Sequence, residues 1–428
     1  MTNPDDPTLP ADRLVVVGQG YVGLPLAVRA VEQGFEVVGF DLDVARVERI
    51  AAGDSPVEDI AHDRLRAALA TGRFTPTADP ADCSGFDVAV ISVPTPLRDG
   101  TPDLSFIEAA AQHLGGHLKP GATVVLESTT YPGTTQELAG PILERASGLV
   151  AGTDFHLGYS PERIDPGNPT WTFENTPKVV SGVDPASLAA VQGFYDRLVE
   201  RTVAVSSPRE AELTKLLENT FRHVNIALVN ELAMFSHALG IDIWEAIDAA
   251  STKPFGFMRF TPGPGVGGHC LPIDPSYLSW RVRRTLGEAF RFVELANDVN
   301  EHMPAYVVAR LTESLNDRFL PVRGQRVLLL GLAYKRNTGD ARESPSQPVA
   351  RRLVELGAEV LVADPHVDAR SFPAGVTRVD LTEDVVASAA IVVVLVDHDD
   401  FDLDLVVRHA AAVLDTQHCV TGPTVEFL

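Results

Sequence analysis

Residues 14–23, with the sequence LVVVGQGYVG, form the stretch that determines the fold. A leucine and three valines predict a short buried strand, and a G-x-G-x-x-G pattern follows it directly. In such a turn Gly18 permits the tight bend, Gly20 lets the backbone approach a pyrophosphate, and Gly23 allows close packing of helix and strand. The N-terminus of the following helix then faces the phosphates. The stretch therefore predicts a dinucleotide-binding turn, with a purely structural glycine turn as the alternative.

The acidic residue at the end of the second predicted strand indicates which dinucleotide binds. Asp41 closes the strand Glu36–Asp41, 18 residues after Gly23. A carboxylate there accepts hydrogen bonds from both hydroxyls of the adenosine ribose and repels a 2′-phosphate, so the sequence predicts NAD rather than NADP. The segment 92–96, SVPTP, follows another strand and is either an ordinary proline turn or part of the same site. The predicted cofactor contacts of this half are Gly18, Gly20, Tyr21, Val22, Gly23, Asp41 and Thr95.

Strand and helix patterns alternate in the N-terminal third and again after residue 322. The predicted strands are Leu14–Val17, Glu36–Asp41, Asp87–Val93, Thr123–Glu127, Arg326–Leu330, Glu359–Asp364 and Ala390–Val396. Between the two groups, residues 210–240 keep helical periodicity with no proline and no internal glycine. The sequence therefore predicts an α/β fold of two Rossmann-like, doubly wound parallel-sheet domains, joined by a helical middle domain with one long central helix. The expected domains are residues 1–205, 206–312 and 313–428.

Composition excludes several classes of protein. The 428 residues include 35 Lys and Arg against 58 Asp and Glu, and a net charge of −23 argues against binding to nucleic acid. Hydrophobic residues make up 45% of the chain, which is enough for a sizeable core, and no run is long enough to span a membrane. The three cysteines, Cys83, Cys270 and Cys419, lie far apart and predict neither disulfides nor a metal site. We expect a cytoplasmic protein.

The segment 261–275, TPGPGVGGHCLPIDP, carries the candidate nucleophile. Its glycines let the backbone wrap closely around a ligand such as a sugar phosphate. A lone cysteine is by default a small buried hydrophobe. Cys270, however, lies among glycines and four residues before Asp274, in a chain predicted to bind NAD, which favours a nucleophile. Whether His269 lowers the pKa of this thiol or points elsewhere stays open.

Seven collinear segments make the chain resemble the UDP-glucose/GDP-mannose dehydrogenase family nearly from end to end. They are GQGYVGLP (18–25), SVPTP (92–96), ESTTYPGTT (127–135), SPERIDPGN (160–168), ELTKLLEN (212–219), PGPGVGGHCLPIDP (262–275) and GLAYKRNTGDARESPS (331–346). The resemblance implies an NAD-dependent oxidoreductase that oxidises C6 of a nucleotide sugar twice, to the uronic acid. It also implies an NAD-binding domain, a central domain for catalysis and dimerisation, and a UDP-sugar-binding domain, in a homodimer or larger assembly.

The resemblance assigns catalytic roles residue by residue. Cys270 matches the nucleophile, whose thiolate forms a thiohemiacetal with the C6 aldehyde and then a thioester that water hydrolyses. Lys215 and Asn219, four residues apart on the long helix, match a pair that stabilises negative charge on the C6 oxygen. Spacing alone would make Lys215 a solvated helix residue. Asp274 matches an acid that positions water near the thiol.

Two further catalytic matches lie in the N-terminal third. Glu162 matches a glutamate that assists proton transfer and thioester hydrolysis, although it is equally explained as an acid at the end of a strand. Thr129 matches a threonine that contacts both this site and the cofactor. The family often has a second glutamate four residues after the first, where this chain has Pro166. The identity of the general base therefore stays open.

The substrate contacts implied by the resemblance come from several segments. Lys335 and Arg342 match residues that reach the nucleotide sugar and the cofactor, and two cations suit diphosphate binding in an acidic protein. The alternative is a solvated loop in which Glu343 neutralises Arg342. The predicted substrate contacts are Glu162, Lys215, Asn219, Arg259, Gly267 and Lys335, with Arg342 assigned to the cofactor.

The identity of the nucleotide sugar stays open at this level. Residues 253–280 resemble the branch that acts on UDP-N-acetylglucosamine, except that Arg259 stands where this branch typically has proline. A cation there would alter selectivity, so UDP-glucose, UDP-N-acetylmannosamine and thymidine-diphosphate glucose are the alternatives. A nucleotide-sugar epimerase or dehydratase is disfavoured, because no YxxxK pair follows the first α/β unit. A non-catalytic protein that binds NAD or a nucleotide sugar is disfavoured by Cys270, Lys215, Asn219 and Asp274 together.

Overall fold

The computed structural model describes residues 12–57, 59–98, 101–165, 168, 170–268, 271 and 273–428. The chain forms two compact units, of which the first ends at Glu218 and the second begins at Asn219. Strands and helices alternate in both, with a helical region around the boundary. The predicted fold class is thereby confirmed.

The first unit is built on one large sheet. Its strands are β1 (Arg13–Val17), β2 (Glu36–Phe40), β3 (Phe74–Thr77), β4 (Val88–Ile91), β5 (Leu97–Arg98), β6 (Thr101–Pro102), β7 (Thr123–Leu126), β8 (His156–Tyr159), β9 (Lys178–Gly182) and β10 (Thr202–Ala204). Its helices are α1 (Gly23–Glu32), α2 (Val44–Ala51), α3 (His62–Ala70), α4 (Ser105–Gly115), α5 (Gly140–Ser147) and α6 (Pro185–Tyr195). The long helix α7 (Pro208–Leu239) then runs across the boundary between the units.

The order of the eight strands places the predicted site segments at one edge of this sheet. The order is β10-β9-β8-β7-β4-β1-β2-β3, and β5 pairs with β6 in a separate hairpin. From β3 to β8 all neighbours are parallel, so the carboxyl ends of β1, β4, β7 and β8 share an edge. Both faces of the sheet carry apolar clusters, which is why these strands are almost wholly apolar.

Two strands of this sheet, β9 and β10, run against the predicted parallel order, because β10 pairs in parallel with β9. β9 is antiparallel to β8, with Gly158 opposite Gly182 and Tyr159 opposite Ser181. The described residues between these strands contain no helix, and the absence of a crossover helix there favours an antiparallel neighbour. As a consequence β9 begins at the edge where β7 and β8 end.

The second unit contains the remaining helices and a smaller sheet. Its elements after α7 are α8 (Ile243–Ser251), α9 (Asp274–Leu286), α10 (Arg291–Asp317), β11 (Arg326–Leu330), α11 (Ser346–Leu356), β12 (Glu359–Ala363), β13 (Val376–Arg378), α12 (Glu383–Ser388), β14 (Ile391–Val394), α13 (Leu403–His409), β15 (Val413–Asp415) and β16 (Val425–Phe427). The six strands are parallel throughout, in the order β13-β12-β11-β14-β15-β16.

The predicted elements lie within a few residues of the observed ones. The long helix spans 32 residues from Pro208 to Leu239, against the predicted range 210–240. The division into three domains after residues 205 and 312 stays a prediction. Within the described part of the chain, no helix has both the length and the apolar character needed to cross a membrane.

A buried carboxylate organises the edge of the second sheet. Asp364 follows β12, and its Oδ2 accepts hydrogen bonds from the N–H groups of Leu332 (2.7 Å) and Ala333 (3.0 Å). Its Oδ1 accepts from the N–H groups of residues 366 and 367, and His398 Nε2 lies 3.2 Å from Oδ2. Burial acts to raise the pKa of Asp364, but the hydrogen bonds from His398 and the backbone hold that pKa well below its usual range.

Replacing this carboxylate should destabilise the second unit. Asp364→Ala leaves four N–H groups, three of them buried, without their acceptor, and we expect a loss of roughly 3 kcal/mol in the free energy of unfolding at pH 7. Because the folded-state pKa is lowered, the wild-type advantage is complete above the ordinary aspartate pKa of about 4 and shrinks as the pH falls below it. Urea unfolding at pH 7 and pH 3 measures both effects.

The control for this experiment is Asp368→Ala, which removes an exposed acid from the same region of the second unit. Equal unfolding midpoints for Asp364→Ala and the wild type at pH 7 would show that Asp364 does not organise this edge.

Candidate active site

The glycine turn after β1 has the geometry that the sequence predicts. Gly18 has a φ of +93°, and a Cβ on it would lie 2.6 Å from the carbonyl oxygen of Ser92. A Cβ on Gly23 would lie 1.9 Å from the carbonyl oxygen of Gly18. At Gly20, by contrast, no described atom lies within 4 Å of the Cβ position. Two glycines are therefore required to form the turn, whereas the third faces open space.

Asp41 holds this turn in place. Its Oδ2 accepts hydrogen bonds from Gln19 N (2.8 Å) and Arg46 Nη1 (3.0 Å), and its Oδ1 accepts from Asp43 N (2.9 Å). Sequence reasoning missed both the bond to the turn and the neighbouring arginine. The predicted contact of Asp41 with ribose hydroxyls stays a prediction, and a carboxylate that accepts three hydrogen bonds retains capacity for another.

The residues present fit a dinucleotide. Among the described residues no side chain caps the N-terminus of α1, and its first turn contains no acid that would repel a phosphate. Tyr21 is exposed and Val22 half-buried beside the open position at Gly20. An uncapped helix N-terminus next to an open glycine is a suitable site for a pyrophosphate.

The predicted threonines follow neighbouring strands. Thr95 follows β4 and Thr129 follows β7, which pair in parallel, and both side chains are half-buried. Ser128 joins the two segments, because its hydroxyl donates to the carbonyl oxygen of Val93 (2.8 Å). The structure therefore brings the two segments together at the edge that also carries the glycine turn.

Glu162 and Lys215 meet in the first unit, through a main-chain atom. Lys215 Nζ donates to the carbonyl oxygen of Glu162 (2.6 Å), and both residues are buried. The Glu162 carboxylate has other partners, and its Oε1 accepts hydrogen bonds from the N–H groups of Arg163 (2.6 Å) and Ile164 (2.7 Å). Burial acts to raise the pKa of Glu162, but Lys178 and these hydrogen bonds lower it overall.

Sequence reasoning missed a buried charge cluster around Glu162. Lys178, the first residue of β9, places its Nζ 2.7 Å from Glu127 Oε1 and 3.0 Å from Glu162 Oε2. The Tyr195 hydroxyl donates to Glu127 Oε1 (2.6 Å). The sequence signal was a lysine at the start of the apolar strand KVVSG, because a cation at such a position needs a buried counter-charge.

A second buried acid links α7 to the segment that carries Thr129. Glu212 accepts hydrogen bonds from Gly133 N (2.5 Å) and from both N (2.9 Å) and Oγ1 (2.7 Å) of Thr135. Burial raises the pKa of Glu212 to about 7, although these hydrogen bonds oppose the shift. Glu212 lies inside the segment 212–219 that carries the resemblance, but its residue type alone did not indicate this contact.

In the second unit the side chains of two predicted site residues, Asn219 and Asp274, are in direct contact. Asn219 Nδ2 donates to Asp274 Oδ2 (2.6 Å), and both side chains are buried. Asp274 is the first residue of α9. The predicted nucleophile Cys270, with His269, lies outside the described residues, as does Pro166.

Two other predicted substrate contacts of the second unit, Gly267 and Arg259, lie against neighbouring residues of that unit. A Cβ on Gly267 would lie 2.8 Å from Pro345 Cδ and 2.9 Å from the carbonyl oxygen of Glu343, so the segments around residues 267 and 344 pack closely. The Arg259 guanidinium pairs with Asp248 on α8. These contacts give both residues structural roles beside the predicted substrate contacts.

The two cations after β11 differ in their contacts. The half-buried Lys335 accepts a hydrogen bond from Thr338 Oγ1 (3.0 Å) at its carbonyl oxygen. The Arg342 guanidinium binds the Asp340 carboxylate through Nε (2.9 Å) and Nη2 (2.8 Å). In the alternative interpretation Glu343 neutralises Arg342, whereas the acid observed to pair with Arg342 is Asp340.

Comparisons with known proteins cover nearly the whole chain. The UDP-glucose/GDP-mannose dehydrogenase family matches with its NAD binding domain at residues 12–199, its central domain at 209–302 and its UDP binding domain at 328–422. UDP-N-acetyl-D-mannosamine dehydrogenase of Pyrococcus horikoshii is 34% identical over 97% of this chain and 98% of its own length. UDP-N-acetyl-D-glucosamine 6-dehydrogenase of Pseudomonas aeruginosa is 39% identical over 83% of each chain. The solved structure of the Pyrococcus horikoshii UDP-D-ManNAc dehydrogenase superposes with a TM-score of 0.87 at 33% identity, covering 97% of this chain and 98% of that one.

The open position at Gly20 separates cofactor binding from folding. Gly20→Ala meets no described atom, so we expect an unchanged melting temperature. The added methyl group occupies the space that a pyrophosphate needs, and we expect NAD to bind roughly 10- to 100-fold more weakly, a loss of about 1.4–2.8 kcal/mol. Calorimetric titration with NAD measures this change.

Gly193→Ala in α6 is the matched control, because a Cβ there also meets no described atom. An NAD affinity of Gly20→Ala equal to that of the control would contradict the assignment of the turn to the cofactor.

Proposed function

Because the chain belongs to the UDP-glucose/GDP-mannose dehydrogenase family of NAD-dependent nucleotide-sugar oxidoreductases, we propose that it oxidises C6 of a UDP-N-acetylhexosamine twice, to the uronic acid. The relatives named for UDP-N-acetyl-D-mannosamine and UDP-N-acetyl-D-glucosamine support the substrate class. Residues 253–280 favour UDP-N-acetylglucosamine, because they resemble that branch of the family. The match to a UDP binding domain supports the nucleotide part.

The cofactor site of this reaction lies at the turn after β1. NAD, when bound, accepts hydride from C6 in each oxidation, and residues 18–23, Asp41, Thr95 and Thr129 would hold it. The protein's task is to orient the C6 hydroxyl, to stabilise charge on its oxygen and to remove its proton.

The observation that carries the proposal is the environment of Lys215. Its ammonium group is buried, and the contact found for it is the Glu162 carbonyl oxygen rather than a carboxylate. A carbonyl oxygen occupies one of the three N–H donors of the ammonium group, so this contact orients the group and leaves other donors for an oxyanion. We assign Lys215 to stabilise the C6 oxygen, with Asn219 one helical turn further along α7 as a second donor.

Cys270 provides the route to the second oxidation. The aldehyde from the first oxidation has no hydroxyl-bearing C–H to oxidise, so the Cys270 thiolate adds to its carbonyl carbon and the oxygen takes up charge or a proton. Loss of hydride from this thiohemiacetal leaves a thioester. One water then cleaves the C–S bond, which releases the carboxylate and regenerates the thiol. We assign Asp274 to position that water and Glu162 to assist its deprotonation.

A spectrophotometric assay of NADH tests the reaction and its substrate. We expect two NADH per sugar, with UDP-N-acetylglucosamine turned over faster than UDP-N-acetylmannosamine, UDP-glucose or thymidine-diphosphate glucose. No accumulating NADH would instead indicate an epimerase or dehydratase, and no turnover of any sugar a binding protein. Fastest turnover of thymidine-diphosphate glucose would overturn the proposed substrate class.

Two substitutions distinguish the roles within this mechanism. Cys270→Ser replaces the thiol with a far less ionised hydroxyl, and its adduct proceeds to a stable ester, so we expect steady-state turnover to fall by orders of magnitude with NAD binding retained. Lys215→Ala removes one electrostatic donor and should slow hydride transfer roughly 10²- to 10³-fold. Intact-mass analysis detects the trapped ester in the first variant only.

Near-wild-type turnover of Cys270→Ser with two NADH per sugar would require oxidation of a hydrated aldehyde. The assignment of Cys270 as the nucleophile would then be wrong.

We also propose that the enzyme is a homodimer or larger assembly built on α7. In the second unit this helix exposes large apolar side chains that recur every three, four or seven residues, namely Phe221, Leu228, Leu232, Phe235 and Leu239. Such spacing places them on one helical face, which favours burial against a second copy. A surface of this kind is typical of a stable subunit contact.

Charged substitutions on this face should dissociate the assembly. We expect the wild type to be dimeric or larger at micromolar concentration and Leu228→Glu/Leu232→Glu to be monomeric, because four buried charges per dimer would lose their hydration. Arg222→Glu, an exposed position off this face, is the control. Light scattering measures the mass, and a monomeric wild type would refute the proposal.

A further inference from the structure

The reversal of β9 gives Lys178 its position. In the antiparallel pair, Gly158 lies opposite Gly182 and Tyr159 opposite Ser181. Continuing this register beyond the strand end brings residue 162 opposite residue 178. The first residue of β9 therefore lies at the edge that carries Glu162, whereas a parallel β9 would place it at the far end of the sheet.

The Lys178 side chain is isolated from solvent. It is 4% exposed, and the side chains of its two acidic neighbours are 0% (Glu127) and 12% (Glu162) exposed. Aromatic rings cover the ammonium group, with the centroids of Phe173 and Tyr195 at 5.5 and 5.3 Å. Burial of an ion pair is costly, and apolar replacements often fold as well or better, so stability alone does not account for such a cluster.

The two carboxylates of the cluster are not equivalent. Glu162 accepts two backbone N–H groups in addition to Lys178, and these donors stabilise its negative charge. Glu127 accepts from Tyr195 and Lys178 through Oε1, but its buried Oε2 has no hydrogen-bond partner among the described residues. Burial accordingly raises the pKa of Glu127, whereas Lys178 and the backbone N–H groups overcome burial and lower that of Glu162. Glu162 is therefore the carboxylate that its surroundings favour in the charged form.

Glu162 in turn connects the cluster to Lys215. Its carboxylate fixes the main chain at residues 162–164 through the N–H groups of Arg163 and Ile164. Its carbonyl oxygen, in the same stretch of backbone, receives Lys215 Nζ at 2.6 Å. A displacement of the carboxylate therefore displaces the acceptor that orients Lys215.

We propose that Lys178 is a positioning residue for the oxidation: it holds the Glu162 carboxylate in place and, through the main chain at Glu162, sets the position of the Lys215 ammonium group. The inference rests on the proposed function, because it assigns Lys178 to act through two residues of that reaction. Lys178 itself needs no contact with substrate or cofactor.

The test is Lys178→Met, which keeps the length of the side chain and removes its charge. The groups that face Glu162 are Lys178 from β9, Lys215 from α7, Glu127 after β7 and Tyr195 at the end of α6. Without Lys178 the buried Glu162 carboxylate loses the cation that lies 3.0 Å from its Oε2. We expect kcat to fall about 10²-fold at pH 7 and the acidic limb of the kcat profile to move up by about 1–3 pH units. Affinity for NAD should stay unchanged, because the turn at residues 18–23 is untouched.

Two matched variants separate this effect from a general loss of structure. Lys119→Met removes a different lysine of the same unit, which pairs with Asp87 at 2.7 Å, and should leave the profile unchanged. Glu127→Gln keeps the ion pair between Lys178 and Glu162, so the acidic limb of its kcat profile should stay where it is in the wild type. If Lys178→Met does not fold, Lys178→Met/Glu127→Gln carries the same test, because it removes one acid together with the lysine.

The outcomes distinguish this inference from the proposed function. Suppose that the wild type releases two NADH per sugar. If the pH profile of kcat for Lys178→Met then equals that of the wild type, or is lower by the same factor at every pH, the positioning role alone is overturned. A wild type that oxidises no nucleotide sugar twice would overturn the proposed function itself. A shifted limb with unchanged NAD affinity supports the inference.

Discussion

Parallel pairing of β1, β4, β7 and β8 is the constraint on which the candidate site of the first unit depends. It brings the carboxyl ends of these strands to one edge, so that segments far apart in sequence meet there. The glycine turn, Thr95, Thr129 and Glu162 all follow such strand ends. Because each strand is buried on both faces, the apolar core fixes the sheet, and the polar chemistry is confined to the loops beyond it.

In both units an aspartate that follows the second strand holds the loop that follows the first strand of the sheet. In the first unit Asp41, after β2, accepts a hydrogen bond from the backbone of the turn that follows β1. In the second unit Asp364, after β12, accepts two from the loop that follows β11. A carboxylate satisfies backbone N–H groups that the strand leaves unpaired, and it does so more strongly than a neutral acceptor. The acid that sequence reasoning assigned to ribose recognition therefore also has a structural task.

Local features were predictable from the sequence, and contacts between distant segments were not. The turn at Gly18–Gly23, the strands and the long helix each follow from a continuous pattern of residues. The reversal of β9 depends instead on the path of the chain between β8 and β9, and the sequence of that segment has no helical or strand periodicity. Lys178 meets Glu127 only because of that path. The contact of Glu212 with Thr135 depends likewise on how α7 packs against a distant segment. A charged residue inside an apolar strand was the one local sign of such a contact.

We propose that a single enzyme carries C6 of the sugar from alcohol to carboxylate without releasing the aldehyde. Nuclear magnetic resonance with UDP-N-acetylglucosamine labelled with ¹³C at C6, in the presence of excess NAD, tests it most directly. We expect one carboxylate signal to replace the alcohol signal, with no signal from a free or hydrated aldehyde at any time. Accumulation of the aldehyde hydrate, or conversion that stops at the aldehyde, would contradict it.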